Sequence, residues 1–299
     1  PKDAPKGTVV SAIDTLSRVF GWASEELIRN RPLSAPALSA GAGRFKMPTR
    51  AQERSLASYI AYAHYLGKKL LDAAPMPARG LPSDPREFAR AVIAKYGSVS
   101  LRSVLAFAWD NGIPVLPLDD PGAFQGACWR ENGRNVIVLK QQTPFEARWL
   151  HDLLHEIRHS TEEPEKATFA VIEGDPRERA DSEDESAATE FAGDVVLDCR
   201  AEELTQLCVD KARGKVEWLK GVVPDVAKAA GVDVGALANY VAYRLALQGQ
   251  DWWGAASNLQ KRTDPWSIAR DVMLERADLE KLDSIDQELF SRALMSETA

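Results

Sequence analysis

An α+β fold, mostly helical with one small sheet packed on a central helix, is what this 299-residue sequence predicts. Three observations carry it. Apolar residues recur at helical spacing through most of the chain, among them Leu150, Leu153, Leu154 and Ile157 between Trp149 and Ser160. Two short runs, Gly126 to Arg130 and Asn135 to Leu139, flank Asn132-Gly133, a dipeptide that favours a hairpin because both residues accept positive φ. That hairpin leads directly into the Trp149–Ser160 helix, so sheet and helix must pack on each other.

In chain order, residues 10 to 29 read as helix-turn-helix material. Leu16, Val19 and Phe20 lead to Gly21 at a turn, and Ser24 caps a short segment through Leu27 and Ile28. Ser34 to Pro48, rich in Ala, Ser, Gly and Pro, is a linker. Thr49 and Gln52 make a capping box that opens a helix from Arg50 to about Leu71, with Leu56, Tyr59, Ile60, Ala63 and Leu70 on its apolar stripe. His64 on that helix is a packing or surface residue. A second, proline-bearing linker from Ala73 to Asp84 precedes a helix from Pro85 to Tyr96. Leu101 to Asn111 is a helix ended by Gly112, and Ile113 to Leu118 a short strand.

After the hairpin, Thr143-Pro144-Phe145-Glu146 offers an N-cap Thr, Pro at the first helical position and Glu at the third. Ser160 to Asp184 is polar, acidic and irregular. Ser182 to Asp198 is a helix with Ala188, Phe191, Ala192, Val195 and Val196 on its buried stripe and Glu185 one turn earlier on that side. Beyond Arg200 the pattern is helical throughout. Val226 to Val232 with Leu237 again resembles a helix-turn-helix half, continued by Tyr240, Tyr243 and Leu245. Trp252 and Trp253 read as core or docking residues rather than a platform for nucleobases. At this length the chain divides into a helical region 1–80, a core 81–200 and a helical region 201–299.

Composition excludes several classes. With 45% hydrophobic and 27% charged residues the chain is neither fibrous nor disordered, and no apolar run approaches the roughly 18 residues of a membrane span. No signal peptide opens it. Three widely spaced cysteines, an odd number, argue for a reducing compartment, hence the cytoplasm. A net charge of −7 argues against wholesale nucleic-acid binding, but residues 1 to 73 hold eleven Lys/Arg against six Asp/Glu. That basic end either meets DNA or an acidic partner or is a solvated helical surface.

The chemistry lies in His155-Glu156-Ile157-Arg158-His159, an H-E-x-x-H match. Its spacing puts two imidazoles one helical turn apart on one face, where both reach one metal ion, with a carboxylate beside them to accept a proton from water. A catalytic zinc takes three protein ligands, so a third carboxylate or histidine is needed from another helix. Glu185, 26 residues after His159, is the candidate; it competes with Glu183 and Glu190, and with a mere capping role beside Ser182. His151, one turn before His155, either supports the ligands or packs. Cys128, just before the hairpin turn, is either a small buried residue beside Trp129 or a fourth ligand whose thiolate keeps the site latent.

These residues resemble the ImmA/IrrE metallopeptidases. The resemblance rests on His155 to His159, on the Glu185-x-x-Ala188-x-x-Phe191-Ala192 segment, which in that family bears the third zinc ligand, and on the preceding hairpin. It extends to Gly112-Ile113-Pro114-Val115 and to Arg44-Phe45 with the helix that follows. Arg158 stands where the family usually has Gly, and Val195-Val196-Leu197-Asp198 replaces its Leu-Leu-x-Pro exit. The resemblance implies a Zn2+ endopeptidase that cleaves a helix-turn-helix repressor after DNA damage or prophage induction, with Glu156 as general base and His155, His159 and Glu185 as ligands. It further suggests single-stranded or damaged DNA as the activating ligand. The competing class is a regulator that keeps a zinc site without using it and binds DNA or a repressor.

Overall fold

Residues 6–29, 33, 50–75, 80–119, 124–173 and 183–295 are described by the structure, a computed structural model. They form α1 (Lys6–Phe20), α2 (Ser24–Ile28), α3 (Arg50–Ala73), α4 (Pro85–Tyr96), α5 (Leu101–Asp110), β1 (Val115–Pro117), β2 (Gly126–Glu131), β3 (Arg134–Leu139), α6 (Glu146–Ser160) and β4 (Phe169–Glu173). There follow α7 (Glu183–Val196), α8 (Ala201–Lys211), α9 (Leu219–Ala230), α10 (Val234–Ala246), α11 (Trp253–Ser257), α12 (Pro265–Arg276) and α13 (Ser284–Ala293). The fold is α+β and mostly helical. No single helix among the described residues is long and apolar enough to cross a membrane. The linker Ser34 to Pro48, Thr49 of the first capping box, Arg44-Phe45 and Ser182 lie outside the described residues.

Local chemistry accounts for most boundaries. The Asp84 side chain accepts the Glu87 amide at 2.9 Å, Pro85 opens α4, and Gly97 at φ 82° closes it. Asn132 and Gly133 take φ 51° and 76°, which matches the twist of the flanking strands and pairs Glu131 directly with Arg134. The sheet order is β1-β3-β2-β4, with β1 parallel to β3 and both β3 and β4 antiparallel to β2.

Three boundaries depart from the sequence expectation. Ala23, not Ser24, is the cap residue of α2, with the Glu26 carboxylate accepting the Ala23 amide. Thr143 does not cap α6: Phe145 is extended and bridges to Arg262, while Pro144 O accepts the Thr263 amide at 2.8 Å, so the helix starts only at Glu146. Tertiary strand pairing has overridden the local capping signal. The stretch expected to be irregular after Ser160 contains β4, whose Phe-Ala-Val-Ile core is buried against β2.

One apolar core joins α3, α4, α5, the sheet and the inner faces of α6 and α7, and the last two helices return to it through Trp266, Val272, Met273 and Phe290. A second core lies among α8, α9, α10 and Trp252. At the segment that resembles a helix-turn-helix half, Gly231 takes φ 72° and Asp233 caps α10. Ten of the thirteen residues of α10 are buried, however, and the helix packs on α6, so it has no free face to enter a DNA groove.

Asp110 ties three helices together. It receives Tyr96 and Lys95 from α4 and Arg276 from α12. Burial alone raises its carboxyl, but the bonds from Lys95, Tyr96 and Arg276 outweigh this and hold it down at about 2. Its stabilisation is therefore present above the unfolded value near 3.8 and lost as pH falls toward 2. Asp110→Asn is expected to cost about 2 kcal/mol at neutral pH, and its melting temperature should converge on that of the parent near pH 2. A constant gap in melting temperature from pH 7 to pH 2 would rule this out.

Candidate metal centre

The α6 stripe Arg148, Asp152, His155 and His159 is spaced by four, three and four residues, so all four face one side of the helix. Opposite runs the α7 face of Glu185, Ala188, Thr189 and Ala192, in which 185 and 189, and 188 and 192, are each one turn apart. Ala188 and Ala192 are wholly buried and small, which lets the two helices lie close. His155 and His159 are fully buried, and Glu185 is mostly so.

Two imidazole nitrogens and the two oxygens of one carboxylate converge between the helices. His155 Nε2 stands 3.0 Å from His159 Nε2 and 3.2 Å from Glu185 Oε2, and His159 Nε2 is 3.6 Å from Glu185 Oε1. His155, His159 and Glu185 together form a group that can hold a metal ion. Glu183 and Glu190, the rivals on the same helix, are exposed.

The other ring nitrogens are held from behind. His159 Nδ1 lies 3.0 Å from Glu162 Oε1; an ionised carboxylate only accepts, so Nδ1 carries the proton and Nε2 is left with its lone pair. His155 Nδ1 meets Thr189 Oγ1 at 3.2 Å, and with Nδ1–H as donor the same tautomer results. Such partners orient imidazole ligands and raise their basicity. Burial pushes the Glu185 carboxyl up, but hydrogen bonds from His155 and His159, when these rings also carry a proton at Nε2, more than reverse it, to about 2, and a bound cation would take the place of those protons. The carboxylate is thus ionised and ready to bind a cation.

The turn that carries Glu162 is itself clamped. Arg130, almost wholly buried on β2, donates from Nη2 to the carbonyls of Ser160 and Glu162 at 2.9 Å each, and from Nη1 to Glu163 O at 2.5 Å. Its Nε donates to Asn135 Oδ1 at 2.8 Å. These bonds satisfy carbonyls that the end of α6 leaves open and fix the place of Glu162.

Glu156 is buried where β2 begins. A Cβ at position 126 would overlap its Oε1 and stand 2.9 Å from its Cδ, so only glycine leaves room for the carboxylate. Arg158 points away, donating to Thr161 Oγ1 at 3.0 Å.

Two residues singled out in the sequence fall elsewhere. Cys128 is wholly buried on β2 between Ile137 and Val171 and is not a member of the metal-holding group. Burial first, and then the negative charge of Glu156, push its thiol well above the ordinary range, so it reads as a small apolar wall residue. His151 is buried with Nδ1 3.5 Å from Asp152 Oδ1, and its ring centre is 6.4 Å from that of His155. The residue that orients His155 is Thr189. Thr189 and Glu162 were not anticipated, although Glu185-x-x-x-Thr189 and His159-x-x-Glu162 have the spacings that put side chains on one helical face.

Comparison with protein families, curated proteins and solved structures finds no match to this chain. The site therefore stands on its own geometry. Glu162→Gln and Thr189→Val should each weaken divalent-metal binding about 10- to 100-fold, while Glu190→Gln leaves it unchanged and Glu185→Ala abolishes tight binding. Competition against a chelating dye measures all four, and a Glu185→Ala variant that keeps parental affinity would remove Glu185 from the ligand set.

Proposed function

We propose that this chain is a zinc-dependent endopeptidase whose substrate is a helix-turn-helix repressor. The observation that carries the reading is the convergence of two imidazole nitrogens and one carboxylate, with the Glu156 carboxylate beside them in a glycine-made recess. A tetrahedral zinc with bonds of about 2.0–2.1 Å needs donors about 3.3 Å apart. The two imidazole nitrogens are 3.0 Å apart and His155 Nε2 is 3.2 Å from Glu185 Oε2, close to that value, while His159 Nε2 is 3.6 Å from the other oxygen, Glu185 Oε1. Two histidines and a carboxylate are also a donor set used at catalytic zinc, leaving one position for water. The repressor as substrate rests on the resemblance to the ImmA/IrrE metallopeptidases alone.

Bound there, zinc supplies a Lewis acid that polarises both a water molecule and a peptide carbonyl. The protein supplies the rest. His155 and His159 present lone pairs because Thr189 and Glu162 hold their protons at Nδ1. Glu156 accepts the proton of the attacking water, and the same carboxyl passes it to the departing amine nitrogen. Its burial beneath β2 keeps it in one place. The buried α6–α7 interface excludes bulk water from behind the ligands.

Purified chain incubated with the repressor encoded beside its gene, with and without a chelator, tests the proposal. Cleavage should require zinc. Glu156→Gln should keep the metal and fold yet lower the rate about 10²- to 10⁴-fold, since the amide accepts no proton. Gly126→Ala, which drives a methyl into the same carboxylate, should depress the rate while leaving zinc affinity unchanged. Zinc bound with no cleavage by the parent chain would turn the reading toward a non-proteolytic regulator, and parental activity in Glu156→Gln would refute the mechanism.

A further inference from the structure

A cavity of about 410 Å³ opens along the N-terminal half of α6, lined in part by Gln125, Thr143, Phe145, Asn239, Trp253 and Gln260. It lies on the stripe that carries the metal ligands. Arg148, also in its wall, precedes His155 by seven residues, about 10 Å at the helical rise. Four side-chain atoms of the wall are buried with no hydrogen-bond partner: Gln125 Oε1, Thr143 Oγ1, Asn239 Nδ2 and Gln260 Oε1. Buried polar atoms are nearly always paired, so four in one wall mark a place organised for something that pairs with them.

We propose that this cavity binds a neutral heterocycle with an amide edge, of the nucleobase or nucleoside class. Gln260 Nε2 donates to Asn239 Oδ1 at 2.9 Å and to Ala256 O at 3.3 Å. That pairing locks the two carboxamides together and leaves one donor, Asn239 Nδ2, and one acceptor, Gln260 Oε1. A donor and an acceptor on neighbouring amides complement the C=O and N–H of a lactam edge. Asn239 is 5% exposed, so the pair is held by its surroundings rather than by water.

Shape and charge narrow the class. Phe145 and Trp253 are aromatic residues of the lining, and the Arg148 guanidinium lies over the Trp253 ring, 4.9 Å from its centre. Aromatic walls serve a planar ring, whereas a lone carboxamide side chain makes no use of them. The volume falls within the range of small-molecule sites, about 300–1,000 Å³. Arg148 is paired with Asp152 at 3.2 Å, and Asp251 in the same wall accepts the Trp253 amide at 3.1 Å. With Arg148 paired to Asp152, the wall also carries the Asp251 carboxylate, which repels a phosphate and suits an uncharged base or nucleoside.

Titration calorimetry of the full chain with uridine and inosine tests this without reference to any proteolysis, so it stands or falls apart from the peptidase reading. At least one nucleoside should bind, and its N-methylated counterpart, 3-methyluridine or 1-methylinosine, should bind about tenfold more weakly because the lactam N–H is gone. Gln260→Ala and Asn239→Ala should each lose about tenfold toward the parent nucleoside. The methylated ligands probe the intact protein, so the comparison survives a variant that fails to fold. Absence of binding at millimolar nucleoside, equal binding of the methylated forms, or folded Gln260 and Asn239 variants that bind like the parent would each overturn the proposal.

Discussion

The packing of α7 along α6 brings together two imidazoles and a carboxylate that lie 26 residues apart in the chain, and the rest of the centre follows from it. Ala188 and Ala192 keep the approach close, and Glu185 and Thr189 come from the same α7 face to meet His155. Two buried imidazole nitrogens 3.0 Å apart cannot both remain lone pairs aimed at each other. Either a proton or a cation has to lie between them and Glu185.

The support around the ligands is layered. Glu162 and Thr189 set the tautomers; Arg130 sets Glu162 by holding the backbone that carries it; Asn135 holds both Arg130 and Ser160 O. Arg130 and Asn135 are cross-strand partners in the hairpin. The hairpin is therefore more than a cover for α6. Its first residue, Gly126, makes the recess for Glu156, and its fifth, Arg130, anchors the turn after His159.

The C-terminal helices play an unexpected part. The sequence around Gly231 resembles a helix-turn-helix half, and α10 is taken up in packing: Tyr240 lies against Gly193 of α7, and Asn239 faces Gln260 in the cavity beside α6. A pattern of apolar spacing around a tight turn reports that two helices meet at an angle. It does not report which face remains exposed, because that depends on what else the chain lays over them.

What the sequence by itself determined is local. The spacing of His155 and His159, the positive-φ dipeptide at 132–133, the Asp84-Pro85 start of α4 and the apolar stripe of α6 are all consequences of periods and caps confined to a few residues. Glu185 was legible as a candidate for the same reason, its place on the apolar side of an amphipathic helix. Tertiary structure alone separated it from Glu183 and Glu190, left Cys128 outside the group that can hold a metal ion, placed Glu162 and Thr189 behind the two histidines, and replaced the expected Thr143 cap with a bridge to Arg262. Each of these depends on the distance between atoms on different elements. Neither helical period nor turn chemistry encodes how two finished elements come to rest against each other; close packing of their buried faces decides it.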